Sequence, residues 1–178
     1  MAAKSKKIIV DTFLEILREN PYEVITISEV LANTPLVRKT FYNNFSSKDD
    51  IVRYICKDLM AEYMTKLTGG TEFTLYKFAR MFYEFGKEKR ELFSLLFKND
   101  IFHIFAKEFN EHMALVNSVL PQNMLNAYNS EDLSYIFAFH ASGTLAMFEI
   151  WVKSDFQKSV DEMATIYTSI VGELRGPQ

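Results

Sequence analysis

Residues 26–52, TISEVLANTPLVRKTFYNNFSSKDDIV, hold three helix starts and a proline-bearing turn, a spacing that restricts this part of the chain to short crossed helices. Thr26 followed by Glu29 has the form of a capping box: the hydroxyl accepts from a free first-turn amide, and the glutamate reaches back to the amide of the cap. Ile27, Val30 and Leu31 then give a short helix one apolar stripe. Asn33, Thr34 and Pro35 end it, because the residue before a proline is pushed out of helical conformation. Leu36, Phe41 and Phe45 supply a second stripe, leaving Arg38, Lys39, Thr40, Tyr42, Asn43 and Asn44 pointing mostly elsewhere. Ser46 or Ser47, each with an aspartate three residues on, opens a longer helix through Lys48, Asp49, Asp50, Ile51 and Val52. The segment reads as a helix-turn-helix with a polar face suited to a nucleic-acid groove.

The run Thr40-Phe41-Tyr42-Asn43-Asn44-Phe45-Ser46-Ser47-Lys48, at its spacing from Thr26, resembles the Thr-Leu-Tyr-x-x-Phe-x-x-Lys-like run that ends the recognition helix of the TetR/AcrR family of bacterial transcriptional regulators. Pro21-Tyr22 stands where that family has a Gly-aromatic pair, and the motif covers about residues 6–55. The resemblance implies an all-α protein: a three-helix DNA-binding head over 1–48, joined by a linker helix to a helical regulatory and dimerisation body over 49–178. It also implies that Arg38, Lys39, Thr40, Asn43 and Asn44 face bases or nearby phosphates, that Tyr42 and Lys48 hold the backbone, and that Thr26 and Ser28 add phosphate bonds. The implied partner is double-stranded operator DNA with two inverted half-sites, read by a homodimer, with repression the usual outcome. Two positions depart from the pattern. Pro35 replaces the family's turn glycine and cannot take a positive φ, which leaves Asn33 as the candidate left-handed residue. Val37 replaces the serine that often caps the recognition helix and has no side-chain acceptor.

Charge agrees with a basic head. The net charge of -3 divides into +2 over residues 1–48, with seven Lys or Arg against five Asp or Glu, and -5 over 49–178, with 13 against 18. Lys4, Lys6 and Lys7 precede a first helix expected from about Lys6 to Glu19, and they read either as a mobile phosphate-binding arm or as a solubilising terminus. The single Cys56 excludes a disulfide framework and fits a reduced, cytoplasmic protein. The N-terminus is too poor in apolar residues for a signal-peptide core. The apolar run Ile136–Val152, broken by His140, Ser142, Thr144 and Glu149, falls short of a membrane span.

Ile51, Val52, Ile55, Leu59, Tyr63 and Leu67 continue the third helix at helical spacing as far as Gly69-Gly70. Further helices are expected over 72–85, ending near Gly86; over 91–120, broken near Asn99; and over 131–153 and 160–173. The last two have cap-and-acid starts, Asn129 with Asp132 and Ser159 with Glu162. Their stripes are Ile136, His140, Gly143, Met147, Ile150 and Trp151 on one and Met163, Tyr167, Ile170 and Leu174 on the other; the resemblance implies that they pair with a second copy, although a buried helical hairpin has the same pattern. Gly143, Met147, Ile150, Met163, Tyr167 and Ile170 are the interface residues so assigned.

Nine phenylalanines fall within residues 73–109, more than a small helical core needs. Aromatic and methionine side chains line adaptable apolar cavities. Met60, Tyr63, Phe82, Phe85, Phe105, Phe109, Met113 and His140 are the candidate lining for an apolar or aromatic small-molecule effector. Glu108 and His112 share a helical face but lack a third ligand, so no metal and no cofactor are expected. No nucleophile–base pair, metal triad or phosphate loop supports a helical enzyme. The alternative to a ligand-responsive regulator is a small-molecule-binding or protein-interaction module that kept the helix-turn-helix and lost DNA binding.

Overall fold

The computed structural model describes residues 2–68, 74–113, 129 and 131–173. Among them all the regular structure is helical: α1 (Ala2–Glu19), a 3-10 turn (Tyr22–Val24), α2 (Ile27–Ala32), α3 (Arg38–Tyr42), α4 (Lys48–Thr68), α5 (Leu75–Glu88), α6 (Arg90–Lys98), α7 (Phe102–Met113), α8 (Leu133–Lys153) and α9 (Val160–Glu173). The expected Gly69-Gly70 stop, the helix start at Glu72, the stretch to Leu120, Leu174 and the Met113 side chain lie outside the described residues.

The head forms because α1, α2, α3 and the start of α4 each bring one apolar edge to a common point. Ile9, Phe13 and Leu17 of α1, Val30 of α2, Phe41 of α3 and Ile51 and Val52 of α4 are all buried. α1 begins at Ala2, so Lys4, Lys6 and Lys7 belong to a helix and do not form a mobile arm. The Lys6 ammonium lies 5.0 Å from the Tyr54 ring and 5.8 Å from that of Phe45, and Lys7 bonds Asp11 at 2.8 Å.

Thr26 caps α2 by accepting from the Glu29 amide at 3.2 Å. The turn to α3 is closed without a left-handed residue. Asn33 has φ -96, and its side-chain amide donates to the Glu29 carbonyl at 2.9 Å. Thr34 Oγ1 donates to the Leu31 carbonyl at 3.1 Å and accepts from the Leu36 amide at 3.3 Å. Side chains thus replace what a glycine would have done with its backbone. α3 starts at Val37 with no side-chain cap. Ser47 is the cap of α4, accepting from the Asp50 amide at 3.1 Å. The Asp50 carboxylate accepts from the Ser46 amide at 2.9 Å and its hydroxyl at 3.1 Å, bonds that hold its carboxyl below the usual carboxylate range.

In the body, α4 lies on α5 and α7, α8 covers α6 and α7, and α9 packs chiefly against α5. Thr74 caps α5 by accepting from the Lys77 amide at 3.1 Å, and the helix runs through Gly86 to Glu88. Gly86 is therefore not a stop. A Cβ there would collide with Phe148 Cε2 and stand 2.9 Å from Cζ, so the glycine exists for the close approach of α8 to α5. A Gly86→Ala protein is expected to lose about 1–3 kcal/mol by overpacking, less the ~1 kcal/mol that alanine's helix propensity returns. Thermal or urea unfolding showing a stability gain would overturn this account.

α6 and α7 break at Asn99 as expected. Asp100 takes φ 56, and the Ile101 amide donates to the Leu96 carbonyl at 3.0 Å, which caps α6 with a left-handed residue. α8 and α9 are joined by a turn with two left-handed residues, Asp155 and Phe156. Trp151 Nε1 donates across it to the Lys158 carbonyl at 2.8 Å. Ser159 and Glu162 form a reciprocal capping box, with amide-to-side-chain distances of 2.7 and 3.2 Å. Asn129 and Asp132 do not form the expected box: Asp132 precedes α8 without a side-chain cap bond, and Asn129 Oδ1 accepts from the Glu131 amide at 3.4 Å.

Candidate nucleic-acid interface and helical body

α2 and α3 present one exposed polar surface. Thr26, Ser28, Arg38, Lys39, Tyr42 and Asn43 are exposed, and Thr40 and Asn44 are half-buried. The helix order explains this. Phe41 enters the core, and its neighbours on α3 turn outward by the helical period. An Arg38 guanidinium N–H donates to Ser28 Oγ at 2.8 Å, so α2 aims an arginine that stands at the first turn of α3. Asn44 donates to the Thr40 carbonyl at 2.7 Å and closes the end of that helix. Tyr42 is 51% exposed.

Val37 went unassigned by the residue pattern, yet it is 65% exposed beside Arg38 at the start of α3. Its methyl groups suit contact with a thymine methyl in the major groove. The signal was present in the sequence as an apolar residue at a capping position, where nothing in the core explains it.

Lys48, expected at the DNA backbone, has its ammonium engaged within the protein. It is half-buried, and its ammonium donates to the carbonyls of Tyr22 at 2.7 Å, Glu23 at 3.0 Å and Ile25 at 3.1 Å, lying 4.4 Å from the Tyr22 ring. An ammonium has three donors, and all three are engaged within the protein. The lysine therefore closes the carbonyl end of the 3-10 turn between α1 and α2. Tyr22 adds a hydroxyl bond to Asp49, and burial followed by that bond raises its phenol above the usual range.

The candidate effector residues lie in the interior of the body. Met60, Tyr63, Phe82, Phe85, Phe105 and Phe109 are buried, while His140 is half-buried, 3.4 Å from the Tyr167 hydroxyl. Their rings interlock: Tyr63 meets Phe82 at 5.8 Å and Phe85 at 5.5 Å, and Phe82 meets Phe109 and Phe148 at 5.3 Å. Tyr83, Phe148 and Trp151 complete the cluster, fully buried. Among the described residues one buried side-chain polar atom is unmatched. The Tyr63 hydroxyl is buried with no hydrogen-bond partner, and burial pushes its phenol far above the usual range. Cys56 is also buried, its thiol pushed up to about 12 by burial and then by the Glu108 carboxylate, so it is a packing residue and no nucleophile.

The assigned interface residues separate into two groups. Ile150 is 70% and Ile170 44% exposed, and a Cβ on Gly143 would meet nothing within 4 Å. Met147 is half-buried, with its sulfur 3.9 Å from the Tyr83 hydroxyl. Met163 and Tyr167, in contrast, are only 5% and 6% exposed and belong to the core of the protomer. α9 carries one inward apolar stripe, Met163, Ala164, Tyr167 and Val171, with Ile170 exposed beside it, and the sequence stripe ran from the buried face onto Ile170. α8 is divided likewise: Ala141, Thr144, Leu145, Phe148, Trp151 and Val152 face the body, while Tyr135, Phe139 and Ile150 are exposed. By length and composition α8 is apolar enough to cross a membrane, because it extends to 21 residues, beyond the apolar run expected to fall short. A third of its apolar window is buried inside the protein, and one of its two faces belongs to the core.

No protein-family model matches the chain. It is 24% identical over 155 residues to the HTH-type dhaKLM operon transcriptional activator DhaS of Lactococcus lactis subsp. lactis (strain IL1403), covering 80% of this chain and 76% of that protein. Among solved structures it is similar to a TetR transcriptional regulator from Streptococcus agalactiae 2603V, with a TM-score of 0.67 and 20% identity over 96% of this chain and 94% of that one. It is also similar to a dihydroxyacetone kinase operon activator DhaS, with a TM-score of 0.61 and 15% identity over 96% and 95% of the two chains. These relatives are regulators and not enzymes.

Proposed function

Because the chain has the fold of the TetR-type transcriptional regulators, we propose that it is a DNA-binding regulator that grips a palindromic operator as a homodimer and answers to an apolar effector. The observation that carries the DNA-binding part is the exposed α2–α3 surface, with Arg38 held by Ser28 at the start of a helix free to enter a major groove. Val37, Arg38, Thr40 and Asn43 read base edges; Thr26, Ser28, Lys39, Tyr42 and Asn44 hold the sugar-phosphate backbone.

The dimer rests on α8. Tyr135, Phe139 and Ile150 lie 77%, 59% and 70% exposed along one helix, on the side that also carries Gly143. A second copy about a two-fold axis covers such a face with its own equivalent, and that axis also matches inverted half-sites. The unmatched Tyr63 hydroxyl supports the effector part, since it offers one hydrogen bond inside an otherwise apolar, aromatic interior.

The sign of control depends on where the operator lies relative to the promoter. Repression, common among the regulators the sequence resembles, and the activation named for its curated relative both fit one DNA-bound dimer. Selection from random duplex DNA is expected to return inverted repeats. Return of asymmetric sites alone would refute the dimeric reading, and absence of enrichment would favour a module that has lost DNA binding.

A further inference from the structure

The corner between α6 and α7 reaches out of the body into the head. Asn99, at the end of α6, is 6% exposed. Its Oδ1 accepts from the backbone N–H of Tyr22 at 2.9 Å, across 77 residues of sequence, and its Nδ2 donates to the Leu95 carbonyl at 3.0 Å. The amide orientation is settled by its partners, because the opposite orientation would set N–H against N–H and oxygen against oxygen. One residue thus ties its own helix to the first amide of the α1–α2 turn, an amide with no helical partner of its own. Lys98 adds a weaker contact, its ammonium 3.4 Å from the Arg18 carbonyl near the end of α1.

The corner is stiff enough to transmit position. Asp100 is held at φ 56, a conformation most side chains avoid, and Ile101 beside it is 3% exposed. Phe97 and Phe102 stack at 3.9 Å across the corner, and Phe102 lies against Phe105 at 5.5 Å and Phe148 at 6.2 Å. The Tyr22–Ile25 segment is gripped from two directions, through its carbonyls by Lys48 on α4 and through its first amide by Asn99 on the body. α4 alone is a single covalent connection, about which a head can tilt. A second attachment off that axis removes the tilt.

We propose that Asn99 is a positioning residue that latches the head to the body, and that this latch sets which half-site spacing the dimer accepts. The inference rests on the DNA-binding reading above. It also gives the aromatic interior a route to the head separate from α4, since the Phe102 stack ends on the same corner.

The test compares affinities for operator duplexes whose half-sites are moved apart or together by one base pair, about 3.4 Å. In Asn99→Leu, which keeps the volume and removes the acceptor, the preference for the best spacing is expected to fall about 2- to 10-fold, the equilibrium worth of one hydrogen bond. Asn99→Asp, which keeps an acceptor for the Tyr22 amide, is expected to retain the preference. Lys39→Ala is expected to weaken all spacings alike. An Asn99→Leu dimer with an unchanged spacing preference overturns the latch. Amide exchange on the wild-type protein decides the matter if Asn99→Leu fails to fold or if no duplex is bound. Slow exchange at Tyr22 is expected, and exchange at the unprotected rate rejects the latch. Failure of the wild type to bind any duplex sinks the functional reading instead.

Discussion

A Gly143→Arg protein is expected to be a folded monomer that binds a two-half-site operator about 100- to 10,000-fold more weakly, the avidity that disappears when two linked heads become independent. The position isolates the interface because, among the described residues, no atom beyond its own helix turn lies within 4 Å of the new Cβ, so the arginine has room against them. In a dimer it would sit in the exposed apolar face formed by Tyr135, Phe139 and Ile150, where an unpaired guanidinium is costly to bury. Light scattering reads the oligomeric state, and circular dichroism confirms that helix content survives. A Gly143→Arg dimer with full operator affinity would place the interface elsewhere. The buried pair offers a contrast: Met163→Ala and Tyr167→Ala act inside the protomer and should lower stability first, by about 2–5 kcal/mol, whatever the oligomeric state.

Lys48→Met is expected to lower stability by about 2–4 kcal/mol while leaving the salt dependence of DNA binding in place. Hydrogen bonds to a charged donor contribute about 1.5–3 kcal/mol each, but the three here share one half-exposed ammonium, so their sum is well below three full bonds. Methionine keeps the apolar stem against Tyr22 and removes only the donors. For a chain of this length the melting temperature should fall by about 2–4 °C per kcal/mol. A lysine bonded to phosphate behaves in the opposite way: Lys39→Ala should leave stability nearly unchanged and flatten the slope of log affinity against log salt by about 0.9 for each phosphate it no longer neutralises. A Lys48→Met protein with unchanged stability and a flattened slope would return Lys48 to the DNA backbone.

Local chemistry makes several helix ends legible in the sequence. The Thr26 cap, the serine–aspartate start of α4, the break at Asn99 and the Ser159–Glu162 box are interactions between residues three to five positions apart, and such pairs are visible as spacing. Helical periodicity likewise located most of the helices to within a few residues. The polar set on α2 and α3 was readable because Phe41 and Phe45 leave only one direction for the core. Gly86 misled for a physical reason. A glycine late in a helix pattern looks like a terminator, and only the position of Phe148, 62 residues on, shows it to be a point of close packing.

The remaining decisions belong to tertiary structure because they depend on partners distant in sequence. A lysine at residue 48 is written identically whether its ammonium meets phosphate or carbonyls; the placement of the turn at Tyr22–Val24 beside the start of α4 decides it. An apolar residue on α8 or α9 is equally consistent with a core or an interface, and successive residues differ by about 100° around the helix. Ile150 and Trp151 are neighbours in the chain, yet one is 70% and the other 1% exposed. Sequence alone determined that this chain makes helices, where most of them begin, and that three of them form a head with a basic polar face. Tertiary structure decided which stripes are covered by the protomer itself, and that the head is fastened to the body at a second place by Asn99, because burial and long-range hydrogen bonds exist only between surfaces that the fold has brought together.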